Sequence, residues 1–283
     1  MTAIGLAALA LLLAGLDPPP TPHVRGRLIA EVASVRPDQP FYVGLHLSMD
    51  PGWHTYWLNP GDSGLPTRMA WTPADGVSTA PLEWPTPSAF GTGPLVSYGY
   101  SGEVLLLARV TPAATLRPGQ SLTLGGRASW LECKEICIPG RVELSLTLPV
   151  ALEAPPPSPE AGRFAETRDR LPRPATGWRI TASREERRLT LALSPPAGAP
   201  PIGDGATFFA EQTGLVEHGE PQKLQRLARG ARLEIPLSAN PTRIPERLRG
   251  VLLVPGRQGA ETSLAVDVPL SGATQSSSKG DRP

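Results

Sequence analysis

The chain has 283 residues, 40% of them hydrophobic, and its 27 basic and 26 acidic residues leave a formal net charge of +1. This length and composition supply hydrophobic cores for two domains of ordinary size. A charge so near zero excludes a global field that would recruit nucleic acid or anionic lipid, so we expect no nucleic-acid partner.

The N-terminal segment is uncharged and rich in Ala and Leu as far as about Leu16, and Asp17 with the following proline run ends it. This pattern is typical of the hydrophobic region of a signal peptide. Residues 1–23 are therefore predicted to be a signal peptide with a Pro-rich start, an uncleaved anchor being the alternative. No later run has the roughly 18 apolar residues of a membrane-spanning helix, so we expect no span in the mature chain.

Alternation of hydrophobic and polar residues predicts strands in both halves of the chain. The clearest case is Phe41–Met49, which is predicted to be a half-buried strand. Four other segments alternate strictly: 142–148, 189–193, 233–237 and 264–270. Five segments give a weaker pattern: 26–35, 104–110, 121–130, 207–210 and 250–254. Frequent turns, indicated by 29 glycines and 35 prolines, favour an all-β fold.

A proline-rich break at 154–159 divides the two groups of strands. Such a segment is too rich in proline for a central strand and stiff enough to space two bodies apart. A short helix over 160–170, capped by Ser158, is predicted to follow. We therefore predict two immunoglobulin-like antiparallel β-sandwiches joined by a Pro-rich linker and a short helix. The expected boundaries are 24–153 for the first sandwich, 154–174 for the linker, 175–271 for the second sandwich and 272–283 for a disordered tail.

Cys133 and Cys137 are the only cysteines in the chain, so an exported protein can form one intramolecular disulfide from them. They lie between two predicted strands and just before the turn signal Pro139–Gly140. A bond between them forces this segment into a compact loop, because extended chain would separate the two Cα atoms by about 13 Å. Redox exchange, a structural bond and metal binding are the three functions that this pair allows.

The charged neighbours of the pair are Glu132, Lys134 and Glu135, which leave a local excess of one negative charge. Negative charge weakly disfavours a thiolate. A dithiol whose reduced form is not stabilised gives electrons away, so this pattern predicts a reductant.

Large aromatic residues are candidates for shielding the disulfide or for docking a partner, and core packing is the alternative for each. These residues are Trp53, Tyr56, Trp57, Tyr98, Tyr100 and Trp130. A separate hypothesis is that Cys133, Cys137, His54 and Met69 converge on Cu(I) as soft ligands. No organic cofactor and no dedicated metal site are predicted, and no hydrolase motif is present.

The segment around the cysteines resembles the N-terminal periplasmic domain of the DsbD/ScsB family of protein-disulfide reductases. The resemblance is most specific in Trp130–Pro139, which is similar to that family's Trp-x-x-Cys-Lys-x-x-Cys-x-Pro segment. The resemblance extends to Pro51–Gly64 and Tyr98–Tyr100 and covers about residues 24–150 in all. It implies that the irregular loop Asn59–Gly64, which contains Asp62, lies over the cysteines. Two stretches near 208–209 and 220–222 are similar to the family's second β-domain.

The resemblance implies a periplasmic thiol-disulfide interchange module, a component of a protein-disulfide reductase. Cys133 and Cys137 would carry electrons from a membrane reductase partner to oxidised thioredoxin-like proteins. The resemblance also implies that Cys137 meets partners and Cys133 resolves the mixed disulfide. No segment of this sequence resembles the family's membrane region or thioredoxin-like domain, so we expect a separate electron donor. The alternatives are an exported binding or assembly module with a structural disulfide, and a Cu(I)-binding module.

Overall fold

The computed structural model of the protein describes residues 22–91, 95–199, 202–255 and 261–272. The predicted signal peptide lies outside them except for its last two residues, and so does the predicted tail after Gly272. No helix among the described residues is long and apolar enough to cross a bilayer.

Ten strands form the first half of the chain, and every segment predicted there contains a strand, although the one predicted over 26–35 ends at Ala30. They are β1 (Val24–Ala30), β2 (Phe41–Met49), β3 (His54–Gly61), β4 (Arg68–Thr72), β5 (Val77–Thr79), β6 (Ser88–Phe90), β7 (Ser97–Ser101), β8 (Glu103–Pro112), β9 (Ser121–Cys133) and β10 (Cys137–Pro149). One sheet has the order β1-β2-β8-β5, and the other has the order β10-β9-β3-β7-β6 with β4 beside β9. All these pairs are antiparallel, as the sequence predicted.

The core of the first half lies between these two sheets. Leu45, Leu47 and Leu106 from one sheet pack with Ala128 and Trp130 from the other. These residues share a face because successive side chains of a strand point to opposite sides. The alternation seen in the sequence therefore encodes this sandwich.

The prediction that β2 is buried on one face only is wrong. Its second face carries Gly44 and His46, and both are buried. The cover on that side of the sheet is helix α1 (Ala161–Arg170), whose Phe164 packs against Leu105 and Leu107 of the neighbouring strand. The helix was predicted, but its contact with this sheet could not be read from local alternation.

The helix begins at Ala161, two residues later than a cap at Ser158 predicts, and its N-cap is Glu160. Ser158 instead accepts a hydrogen bond from the Glu160 amide and donates one to the Ala30 carbonyl. The proline-rich segment is not a free spacer. Its Pro156 carbonyl accepts the Ala33 amide, so it lies along the end of the first sheet.

Eight strands form the second half and enclose a separate core. They are β11 (Arg173–Pro174), β12 (Arg179–Glu185), β13 (Arg188–Ser194), β14 (Thr207–Ala210), β15 (Lys223–Arg226), β16 (Ala231–Pro236), β17 (Arg247–Pro255) and β18 (Glu261–Gly272). Their order is β14-β17-β18-β12-β13-β16-β15, with β11 beside β18. Strand β18 pairs with β17 and then, in parallel, with β12, so it joins both layers. The fold is all-β, as predicted.

The two halves are in contact. Phe209 and Val251 of the second half belong to the same buried cluster as Trp57 and Tyr98 of the first. The Phe209 ring stands edge-on to Tyr98 with the centroids 4.9 Å apart. This contact places strand β14 of the second half against β3 and β7, the strands that lead towards the cysteines.

Candidate functional site: a disulfide at a hairpin tip

The disulfide closes the tip of the hairpin formed by β9 and β10. Cys133 is the last residue of β9, Cys137 is the first residue of β10, and the two are opposite each other in the register. Their sulfur atoms are bonded, and their Cα atoms are 4.2 Å apart. The compact loop predicted from the spacing is therefore present, with three residues between the cysteines.

The two cysteines differ in their access to solvent. Cys133 is 1% exposed, whereas Cys137 is exposed and follows Ile136, which is 67% exposed. An incoming thiolate must approach along the S–S axis of the sulfur that it attacks. The arrangement therefore favours attack at Cys137 and departure of Cys133.

Tyr56 is the predicted aromatic residue that contacts the disulfide. Its hydroxyl donates to Sγ of Cys133 at 2.9 Å and lies 3.5 Å from Sγ of Cys137. Burial raises the pKa of the Tyr56 phenol, so the hydroxyl keeps its proton at neutral pH. The hydroxyl is thus a fixed hydrogen-bond donor aimed at the buried sulfur.

His54 and Phe90 form a wall beside this donor, and sequence reasoning did not identify Phe90. His54 is opposite Cys133 in the sheet, and its ring stacks on Phe90 with centroids 5.1 Å apart. The edge of the same imidazole meets Tyr56. Burial lowers the pKa of His54, so the wall is uncharged at neutral pH.

The segment Asn59–Gly64, predicted to be an irregular loop, belongs to β3 as far as Gly61, and its last residue lies against Tyr56. That this segment lies over the cysteines stays a prediction. Gly64 has a φ of 103°, and a Cβ atom there would come within 2.2 Å of the Tyr56 ring. Only glycine allows both this backbone conformation and this close approach. Within the loop, Asp62 accepts the Val96 amide at 2.8 Å and so attaches the loop to the segment before β7.

Glu132 is buried beside the site, although the sequence interpretation treated it as a free negative charge near the thiols. Its carboxylate accepts hydrogen bonds from Trp130 Nε1 and from the amides of His23 and Val24. Three donors satisfy this carboxylate, so it fixes the start of β1 against the hairpin. The reductant inferred from the charges near the thiols stays a prediction.

The other predicted aromatic residues are buried. Trp57, Tyr98 and Tyr100 lie in the sandwich core, and the Tyr100 hydroxyl donates to the Pro85 carbonyl at 2.6 Å. Trp53 is buried and stacks on His23. Burial favours core packing over docking for these rings, and their shielding of the disulfide stays a prediction. Trp130 is likewise buried and acts through its bond to Glu132.

The soft ligands proposed for Cu(I) do not converge. Met69 is opposite Ala128, five residues before Cys133 on β9, which corresponds to about 16 Å along the strand. Across the described residues, no group of three His, Cys, Asp or Glu side chains has a metal-binding arrangement.

Known proteins share this fold and part of this sequence. Residues 27–149 match the family described as thiol:disulfide interchange protein DsbD, N-terminal. The crystal structure of the N-terminal periplasmic domain of ScsB from Proteus mirabilis is similar, with a TM-score of 0.63 and 18% identity over 90% of this chain and 96% of that chain.

Other solved structures are less similar. The YadV chaperone has a TM-score of 0.23 and 10% identity over 85% of this chain and 98% of its own. The major pilin subunit BcpA of Bacillus cereus has a TM-score of 0.28 and 9% identity over 88% and 68%. No curated protein matches the sequence. Residues 27–149 therefore match the N-terminal DsbD family, and the chain shares its fold with the N-terminal periplasmic domain of ScsB.

Proposed function

We propose that the protein is a periplasmic electron carrier that cycles Cys133 and Cys137 between disulfide and dithiol. The observation that carries this proposal is the asymmetric bond at the hairpin tip. One sulfur is held beneath the Tyr56 hydroxyl, and the other belongs to an exposed residue. A thiol-disulfide exchange site needs one sulfur that a partner reaches and one that leaves.

The disulfide contributes little to the stability of the fold. Strands β9 and β10 pair over 13 residues each, and the disulfide joins only the last pair. A five-residue ring contributes about 2 kcal/mol on the loop-entropy model. The extensive ladder next to it supports a bond that opens and closes, and it disfavours a purely structural staple.

The exchange steps follow from the geometry. A thiolate of a reduced donor attacks Sγ of Cys137, a new S–S bond forms between donor and Cys137, and the bond to Cys133 breaks. Cys133 leaves as a thiolate beside the Tyr56 hydroxyl and takes up a proton. The donor's second thiolate then attacks the donor sulfur of the mixed disulfide, and Cys137 is released as a thiol. Two electrons and two protons pass to the pair, and the reverse sequence reduces an oxidised partner.

The partners in this proposal are a separate membrane reductase as electron donor and periplasmic thioredoxin-like proteins as acceptors. The family assignment of residues 27–149 supports this choice. In this role the protein is a component of a protein-disulfide reductase system rather than a complete enzyme.

A redox titration in glutathione or dithiothreitol buffers, with circular dichroism followed in parallel, tests the proposal. We expect the bond to titrate reversibly at a potential within the cellular range while the β-sheet signal persists. A bond that opens only when the protein unfolds would contradict the proposal and support a structural role.

The order of attack is tested by trapping. Cys133→Ala keeps the sulfur of the exposed residue Cys137, so it should accumulate mixed disulfides with periplasmic proteins. Cys137→Ala is the matched control and should trap little, because the remaining sulfur is buried. Equal trapping by both variants would contradict the assigned roles.

A further inference from the structure

The second half of the chain is attached to the loop that holds Tyr56. Asn59, near the end of β3 and just before this loop, is fully buried and donates its Nδ2 hydrogens to the carbonyls of Ala210 at 2.7 Å and Gln212 at 3.4 Å. Its Oδ1 accepts the Gly61 amide at 3.1 Å. One side chain therefore sets the turn of the loop and ties it to strand β14.

A second attachment is made by a histidine from the second half. Nδ1 of His218 lies 2.7 Å from Oδ1 of Asp62, and the His218 side chain is 2% exposed. An ionised carboxylate only accepts hydrogen bonds, so His218 Nδ1 carries the shared proton. The His218 ring also meets the Tyr98 ring edge-on, with centroids 4.9 Å apart.

The Asp62 carboxylate is shared between the two halves. Oδ1 faces His218, whereas Oδ2 accepts the Val96 amide, and the Asp62 amide donates back to the Val96 carbonyl at 3.0 Å. His218 thus restrains a carboxylate that fixes the loop to the redox half. The His218 side of this hydrogen bond is 2% exposed and the Asp62 side chain is 21% exposed, so water competes for the carboxylate only from the Asp62 side.

The loop in turn restrains the hydroxyl at the disulfide. Gly64 closes the loop directly on the Tyr56 ring, and the Tyr56 hydroxyl donates to Sγ of Cys133. An unbroken series of contacts therefore runs from His218 through Asp62 and the loop to the sulfur that leaves.

We propose that His218 is a positioning residue for disulfide exchange: from the second half, through Asp62, it holds the loop that keeps the Tyr56 hydroxyl on Cys133. This role rests on the proposed function of the cysteine pair. It also gives the second half a role in the chemistry, because the described residues of that half supply no atom of the disulfide site itself.

The test uses full-length variants and dithiothreitol as the probe. His218→Leu removes the donor, and we expect reduction of the disulfide to slow about three- to tenfold, in the lower part of the range for coupling between groups in contact. His218→Asn places an amide nitrogen where Nδ1 stood, so it should restore the rate to within about twofold of the unchanged protein. His218→Gln, whose amide reaches the Nε2 position instead, provides a second loss variant if the Leu variant does not fold.

A double-mutant cycle separates positioning from general destabilisation. In a Tyr56→Phe background, His218→Leu should cause no further slowing, because the hydroxyl that it positions is gone. Ile235→Val in the second-half core is the matched control: it should lower the unfolding midpoint and leave the reduction rate unchanged. An unchanged rate for His218→Leu, or equal slowing in the presence and absence of the Tyr56 hydroxyl, would overturn the proposal.

Failure of this inference is distinguishable from failure of the proposed function. If the disulfide of the unchanged protein titrates reversibly but the His218 variants are reduced as fast as the unchanged protein, the carrier function stands and the positioning role does not. If the unchanged protein resists reduction until it unfolds, both fail.

Discussion

Removing the Tyr56 hydroxyl should slow disulfide exchange more than any other conservative change near the cysteines. The hydroxyl lies 2.9 Å from Sγ of Cys133, and nothing else in the described hydrogen-bond network contacts that sulfur. A hydrogen bond to a charged group contributes about 1.5 to 3 kcal/mol. If the departing sulfur carries about half of its final charge in the transition state, Tyr56→Phe raises the barrier by about 0.75 to 1.5 kcal/mol, which is about four- to twelvefold in rate.

The assay is stopped-flow reduction by dithiothreitol under pseudo-first-order conditions, with the released thiols measured by quenching and labelling. Thermal unfolding of the same samples shows whether the variant is folded. Because Phe keeps the ring that packs on Gly64, we expect a folded protein with slower exchange. A rate equal to that of the unchanged protein, or a faster one, would refute the assignment of the hydroxyl as a donor to the leaving sulfur.

Two further predictions concern the loop and the helix-covered sheet. Gly64→Ala forces a Cβ atom onto the Tyr56 ring, so it should lower stability by about 1 to 3 kcal/mol and slow exchange. Gly102→Ala is the control, because Gly102 also has a positive φ but no atom lies within 4 Å of an added Cβ, and it should cost only about 1 kcal/mol for the backbone. Thermal unfolding of the two variants compares these losses. Burial, and then the charge of Arg27, lowers the pKa of His46, so the native state resists protonation of this ring. The stability of the protein should therefore fall as the pH drops below about 6.5. Denaturation of His46→Asn measured against pH should give a flatter stability profile, and a profile identical to that of the unchanged protein would contradict this.

Much of the fold follows from local patterns. Strict alternation gave the bounds of β2, and the short apolar run at 207–210 gave those of β14. Burial on the second face of β2 did not follow, because it depends on where helix α1 packs. Local alternation describes a strand, but not which elements cover it.

The candidate site shows the same division. The cysteine spacing predicted the compact loop, and alternation along β3 contained a signal that was not used: His54 and Tyr56 share the face towards the disulfide, while Trp57 lies on the face towards Phe209. The hydrogen bond between His218 and Asp62 joins residues that are 156 positions apart in the sequence. No local pattern encodes such a contact, since it exists only after both halves have folded and docked.

The proline-rich segment beyond the end of β1 bears on how the protein meets other chains. Its Pro156 carbonyl pairs with Ala33, and Pro157 bridges to Val32. Prolines carry no amide hydrogen, so this stretch lacks the alternating donors that a foreign strand would need. The segment thereby disfavours pairing with a strand of another chain, and its residues have a role beyond that of a linker.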